Sequence, residues 1–383
     1  MAAPLRVVAP SRPAAAGASG AERQIAFWLL ACCAMVFLMV LIGGITRLTE
    51  SGLSITEWRP VAGILPPIGE AQWAAAFERY KAIPQYRAIH AGMTLAEFKG
   101  IFFWEYVHRL WGRLIGFAFA LPFLYFVARG RIPARLAPRL AIIFALGALE
   151  GGIGWYMVAS GLEARIEVSQ YRLALHLATA VLIYAAMLWT ALDLLTPHPN
   201  PPPQGGRERF EQNPPALRGR AGWGVLRAGA GLVLVLTFIT MIAGSFVAGT
   251  RAGYLDNTFP LMEGAFVPPG YWHLAPWWRN LFENLVAVQF DHRLLAEATF
   301  AAIVALWLWG VRHADDSRAR AALHALVAVA GLQVALGIAT LLLVVPLPLA
   351  AAHQGGAMLL VTAALVACHA LRGARGFSPR DGL

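Results

Sequence analysis

The chain has 383 residues, 58% of them hydrophobic and 14% charged, with a net charge of +10 and a mean hydropathy of +0.58. That is too apolar for a soluble domain of this length and marks an integral membrane protein. The basic balance lacks the aromatic-interleaved patch that nucleic-acid binding needs, so it reads as a topology signal, with membrane lipid as the surrounding and no nucleic acid as partner.

In chain order, the Ala/Pro/Ser-rich opening carries Arg6 and Arg12 and has no apolar core before the first span. It reads as a disordered cytoplasmic tail over 1–22 and not as a signal peptide. Apolar runs of roughly 20 residues, enough to cross a bilayer, then predict eight helices at about 25–46, 101–128, 137–158, 172–194, 224–248, 289–311, 320–345 and 351–371. Cys32, Cys33 and Cys368 fall inside these spans, which leaves no loop disulfide or CxxC metal site and gives them packing roles. Arg129, Arg131, Arg135 and Arg139 follow the second span, Arg207, Arg209, Arg218 and Arg220 the fourth, and Arg312, Arg318 and Arg320 the sixth. The positive-inside rule therefore puts those loops and both termini in the cytoplasm of a multi-pass inner-membrane protein.

Pro197 to Pro215, with Pro201-Pro202-Pro203 and Gly205-Gly206, reads as a linker that splits the spans four and four. The expected organisation is a four-helix half at 23–196, a linker at 197–222, a second half at 223–372 and a tail at 373–383. The halves repeat. Glu105-Tyr106-Val107-His108-Arg109-Leu110 matches Gln289-Phe290-Asp291-His292-Arg293-Leu294, and Leu175-His176-Leu177 matches Ala352-His353-Gln354. Leu149-Glu150 with Gly154 matches Leu332-Gln333 with Gly337, and Leu41-Ile42-Gly43-Gly44 matches Met241-Ile242-Ala243-Gly244. An even number of spans per half keeps both in one orientation, so the fold class expected is all-α and integral to the membrane. It comprises eight transmembrane helices as two pseudo-symmetric four-helix bundles related by a parallel repeat.

His108, His176, His292 and His353 lie one each in spans 2, 4, 6 and 8, near the outer end and within about the first two turns. Ionisable side chains are costly in a bilayer, and two histidines per bundle at one depth suit axial ligation of haem iron, His108 with His176 and His292 with His353. A lone membrane histidine can equally be a hydrogen-bonding packing residue. Zinc or non-haem iron sites usually add carboxylate or thiolate. The other six histidines, His90, His198, His273, His313, His324 and His369, read as solvent-facing or interfacial.

The repeat breaks at Glu105, which becomes Gln289 one turn before the histidine. A carboxyl there could move a proton or stabilise a developing cation, making the first half the place for chemistry and the second a fixed cofactor site. The alternative is a pair with Arg109 or Arg113. Glu150 is a second carboxyl within a span, placed to meet a ligand histidine or to serve a proton path, and Asp291 is expected to meet an outer arginine. The outer loops hold Arg47 and Arg251, which could reach haem propionates in bidentate fashion, and Trp58 and Trp272, which could simply anchor at the interface.

The stretches Gly43-Gly44-Ile45-Thr46-Arg47-Leu48-Thr49, Ser51-Gly52-Leu53-Ser54 with Trp58 and Pro60, Glu97-Phe98-Lys99, Gly112-Arg113, Gly154-Trp155 to Gly161-Leu162, Asn257-Thr258-Phe259-Pro260, Asp291-His292-Arg293 and His353-Gln354 together resemble the haem A synthase family. The likeness runs from about residue 25 to 371 and fits the cysteine-poor branch of proteobacteria and mitochondria.

The resemblance implies oxidation of the C8 methyl of haem O to a formyl group by successive hydroxylations, giving haem A for cytochrome c oxidase. It implies haem b on His292 and His353, substrate haem O on His108 and His176, and Glu105 as catalytic carboxylate. Haem O synthase is the implied supplier and a homo-oligomer a possible assembly, with the electron donor unspecified. Glu150 departs from the glutamine usual there. Rival readings are a di-haem cytochrome b that takes electrons from quinol and a non-catalytic haem carrier or assembly factor.

Overall fold

The computed structural model describes residues 19–57, 62–163, 166–196 and 217–373, apart from the side chains of 62, 163, 217–221 and 373. The tail positions Arg6 and Arg12, the motif residues Trp58 and Pro60, most of the linker with His198, Arg207 and Arg209, and the end beyond 373 lie outside these residues.

Among the described residues eight helices are long and apolar enough to cross a membrane, the number the apolar runs predict. They are α1 (Gly20–Leu48), α4 (Leu95–Ala128), α5 (Ala137–Glu163), α6 (Gln170–Leu195), α7 (Leu217–Thr250), α9 (Leu285–His313), α10 (Ser317–Leu342) and α11 (Leu347–Gly373). Between α1 and α4 come α2 (Glu70–Lys81) and α3 (Pro84–Ala88), and before α9 comes the single turn α8 (Asn280–Glu283). No helix but the long ones was expected, because α2 is amphipathic and too short to register as a span.

Local sequence sets the helix starts. Ser19 and Glu22 form a capping box at α1, and Thr94 and Glu97 form another at α4, with Thr94 N donating to Glu97 Oε2 at 2.7 Å. The second box starts α4 six residues before the predicted boundary at 101. His176, His292 and His353 do lie about two turns from their helix starts, but His108 lies about three and a half turns in. The added turns carry Phe98 and Phe102, which pack with Leu53, Phe77, Tyr80 and Ile83 into a small core beyond the spans.

Within the first half α1 packs on α4, α4 on α5, α5 on α6 and α6 on α1; in the second α7 packs on α9, α9 on α10, α10 on α11 and α11 on α7. The halves meet through α1 with α11, α6 with α7 and α6 with α11, a set that maps onto itself when the halves are exchanged. This is consistent with the parallel repeat. Gln354 Nε2 on α11 crosses the junction to the carbonyl of Val40 on α1 (2.9 Å). A side chain on Gly44 would collide with it, since a Cβ there would lie 1.7 Å from Gln354 Oε1.

Tight packing is concentrated at the end away from the histidines. Ile25 to Val40 of α1, Phe119 and Phe126 of α4, and Val181 to Leu194 of α6 form one buried core. Trp223 to Val233 of α7, Ile303 and Leu306 of α9, and Ala319, Leu323 and Leu326 of α10 form another. Between Glu105 and Phe119 on α4, and between Gln289 and Thr299 on α9, no residue is fully buried. On α4 and α9 the fully buried residues thus leave a gap at the level of the histidines. Cys32, Cys33 and Cys368 are free thiols packed among these helices.

Candidate functional site

All four histidines are seated in one way. The Cε1 atom of each lies against a glycine of the neighbouring helix: His108 on Gly43, His176 on Gly154, His292 on Gly244 and His353 on Gly337. A Cβ at these glycines would stand 3.3, 3.0, 3.0 and 2.9 Å from the respective Cε1. Those distances are at or below the limit of ordinary contact, so only glycine lets the ring approach. The sequence alignment paired Gly44 with Gly244; by contact to the histidine it is Gly43 that corresponds, a shift of one residue.

The fold brings His108 on α4 and His176 on α6 into the first bundle, and His292 on α9 and His353 on α11 into the second. His292 Nδ1 meets the carbonyl of Thr240 at 3.1 Å, which leaves Nε2 to the bundle interior. His353 Nδ1 and His176 Nδ1 have no well-aligned hydrogen-bond partner among the described residues. Two imidazoles in each bundle, both cradled on glycine, suit a planar iron-bearing cofactor. Among the described residues there is no cluster of three or more His, Cys, Asp or Glu side chains of the kind that holds a bare metal ion.

Directly after each first histidine, an arginine of α4 and of α9 binds the loop that follows the first span of its half. Arg109 donates to the carbonyls of Ile55 (2.6 Å) and Glu57 (2.9 Å); Arg293 donates to those of Asp256 (2.7 Å) and Thr258 (2.8 Å). Both arginines therefore clamp carbonyls two residues apart, and the register agrees with the pairing of Gly43 and Gly244. Asn257 Nδ2 ties the second loop to Leu341 on α10 (2.8 Å). The Asp256 carboxyl is buried, which opposes ionisation, but the Thr258 hydroxyl and amide and nearby Arg293 hold its pKa below the usual value.

Where the repeat breaks, the chemistry differs. Glu105 is buried and takes four hydrogen bonds: Oε1 from Arg109 Nε (3.0 Å) and Nη2 (2.6 Å), Oε2 from Ser54 Oγ (2.7 Å) and the Ile55 amide (2.6 Å). The sequence offered Arg109 as its partner, and the two do pair; Ser54 and Ile55, some fifty residues away in sequence, were not foreseen. Gln289 instead donates through Nε2 to the carbonyl of Asp256 (2.8 Å). Glu150 Oε1 lies 2.7 Å from His176 Nδ1.

Other expectations are corrected. Asp291 meets no arginine among the described residues; it accepts from the Tyr271 hydroxyl at 2.6 Å, because the loop before α9 folds over it. His369 is buried, with Nε2 3.1 Å from Asp193, which also draws Arg139 and Arg372, so it is not interfacial. His90 is largely covered as well, between the Tyr80 hydroxyl (2.5 Å) and Glu50 (3.2 Å). Arg251 bonds Glu50 at 2.7 Å and Glu167, both at the junction of the halves. Burial alone would lower its pKa, but these carboxylates raise it above the ordinary guanidinium value. Arg47 lies in the last turn of α1, three residues before Glu50.

The sequence profile of a family described as cytochrome oxidase assembly protein matches residues 26–365. A haem A synthase of Rhodospirillum centenum is 51% identical over 95% of this chain and 91% of its own. Those of Nitrosospira multiformis (50%, covering 92% and 94%) and Nitrosomonas eutropha (48%, covering 91% and 93%) are similar to nearly the same extent.

Proposed function

The chain belongs to the family of cytochrome oxidase assembly proteins, and from that premise we infer that it is a haem A synthase. It is an oxidoreductase that converts the C8 methyl of haem O to a formyl group by successive hydroxylations. The observation that carries the assignment of its two sites is the exchange of Glu105 for Gln289 within otherwise matching clamps.

In this reading His292 and His353 hold haem b, and His108 and His176 receive haem O. Haem b supplies one-electron chemistry when bound. The four glycine seats fix the imidazole planes, and the clamps of Arg109 and Arg293 draw a loop over each pocket and keep water out.

Glu105 acts as a positioned anion at the substrate haem. Four hydrogen bonds occupy its carboxylate oxygens and hold the group in place, and in this reading its negative charge stabilises positive charge that develops at the oxidised methyl. Ser54 is the donor that can turn away, which would open Oε2 to a proton. Gln289 keeps the second loop in place without a charge, as a site with no chemistry requires. Arg47 and Arg251 are the propionate contacts in this reading, and Arg251 would exchange one of its two carboxylates for the ligand.

The arginine bias puts both termini in the cytoplasm and the histidine layer toward the outer face of the inner membrane. Haem O synthase would deliver the substrate.

Expression with a haem O supply, followed by porphyrin analysis, tests the function. The expected result is accumulation of haem A, with one tightly held haem b and a variable content of haem O and A. Two invariant haems b without haem A would indicate a di-haem electron-transfer cytochrome instead.

A further inference from the structure

Glu150 and Gln333 hold corresponding places on α5 and α10, each four residues before the glycine that seats a histidine. They use those places differently. Gln333 Nε2 donates to the backbone carbonyl of His353 at 3.0 Å, a bond that leaves the imidazole alone, and His353 Nδ1 has no partner among the described residues. Glu150 reaches the ring itself, with Oε1 2.7 Å from His176 Nδ1. The contact is within hydrogen-bonding distance but off the ring N–H direction, and neither Glu150 oxygen has another partner among the described residues. Both groups are mostly covered, at 15% and 22% exposure, so water does not take the carboxyl's place.

An imidazole that gives Nε2 to a metal carries its proton on Nδ1 and must donate it. The acceptor facing that nitrogen decides ring orientation and ligand basicity. Of the four histidines, His292 has a backbone carbonyl and His176 has a carboxyl, and for His108 and His353 no Nδ1 acceptor is found among the described residues. A carboxyl accepts more strongly than a carbonyl, and the poorly polar interior amplifies the difference.

We propose that Glu150 is a positioning residue for the substrate haem: by accepting from His176 Nδ1 it turns Nε2 toward the iron and makes His176 the strongest donor of the four. This rests on the reading of His108 and His176 as the substrate site. A stronger donor favours ferric over ferrous iron in the first half, so the two haems differ in potential through residues one turn from Gly154 and Gly337.

The test is an equilibrium redox titration of the full-length protein loaded with haem O, comparing wild type with Glu150→Gln and Glu150→Asp. His176→Ala identifies which component belongs to the first half. Glu150→Gln should raise that component by about 59 mV, a tenfold loss of preference for ferric iron, and change its low-spin electron paramagnetic resonance signal. The second-half component should stay in place, and Glu150→Asp should fall between wild type and Gln. Loss of the first-half haem in Glu150→Gln with retention in Glu150→Asp would support the same role. Unchanged potential and signal at full haem content in Glu150→Gln would overturn it. If His176→Ala removed no component from the wild-type titration, the substrate-site reading itself would fall, and the role of Glu150 with it.

Discussion

Arg251 donates to Glu50 at 2.7 Å across the junction of the two halves, and the two residues are counterparts. The register that pairs Gly43 with Gly244 and Ile55 with Asp256 also pairs Glu50 with Arg251. Both carry a left-handed backbone, with φ of 56° and 59°. Each first span therefore ends in one strained turn, and the opposite charges at the two turns meet each other. Matching the halves by residue type does not reveal this, because the counterparts differ in sign.

The strain separates two substitutions at Arg251. Its side chain is 40% exposed, so the ion pair contributes less than about 1 kcal/mol. A left-handed L-residue costs roughly 1–2 kcal/mol. Arg251→Ala keeps the strain and loses the pair, whereas Arg251→Gly loses the pair and relieves the strain. The glycine variant should be the more stable of the two by about 1 kcal/mol, read from thermal unfolding midpoints in detergent. Equal midpoints would show that the turn is not strained.

The glycine seats predict a graded loss of haem. Gly337→Ala and Gly244→Ala place a methyl 2.9 and 3.0 Å from an imidazole carbon and should deplete the tightly bound haem b. Overpacking of this kind costs about 1–3 kcal/mol, or roughly tenfold or more in occupancy. Gly154→Ala should weaken haem O binding similarly, and Gly43→Ala, at 3.3 Å, least of the four. Pigment content of the purified variants reads the order, and uniform retention of haem b in the first two would contradict the ligand assignment.

What could be read from the chain depended on cost and period. Eight spans, one histidine in each alternate span and the Glu105-to-Gln289 exchange were legible because apolar length, intramembrane imidazoles and a repeat leave marks in the sequence itself. The contacts of Ser54 and Ile55 with Glu105 were not, since nothing local records that a loop folds back onto a helix fifty residues on. Gly154 and Gly337 stood out as a matched pair, but their use as seats needs the packing of α5 on α6 and α10 on α11. The helix α2 escaped because its apolar side chains cover a core beyond the spans, with no run long enough to notice. His369 was misplaced for a related reason: the partner that buries it, Asp193, is on another helix.

The two clamps should separate by effect when arginine is replaced by lysine, which cannot hold two carbonyls in one planar fork. Arg109 supports Glu105 as well as its loop, so Arg109→Lys should cut haem A formation by about 10- to 100-fold, the range expected from a loss of roughly 1.4–2.7 kcal/mol, and leave haem b in place. Arg293 touches only carbonyls of its loop among the bonds found. Arg293→Lys should loosen haem b, seen as faster haem transfer to an acceptor protein, before it affects the first pocket. Identical phenotypes would argue that the halves are not divided between substrate and cofactor.

Glu105→Gln is the narrowest test of the catalytic assignment, because the second half already shows that the variant fits. Gln289 sits in the corresponding place, and its Nε2 meets the carbonyl of Asp256 while Arg293 holds the loop. A glutamine at 105 can turn its own Nε2 to the carbonyl of Ile55, and Arg109 keeps its bonds to Ile55 and Glu57. Fold, loop and haem content should therefore persist, while the negative charge and the bonds accepted by one of the two oxygens are removed. Loss of one preorganised electrostatic partner typically costs about 100-fold or more in rate, so haem A should fall by that factor while haem O accumulates in the first site. If haem A formed at the wild-type rate in Glu105→Gln, the carboxylate would be part of the loop clamp and nothing more.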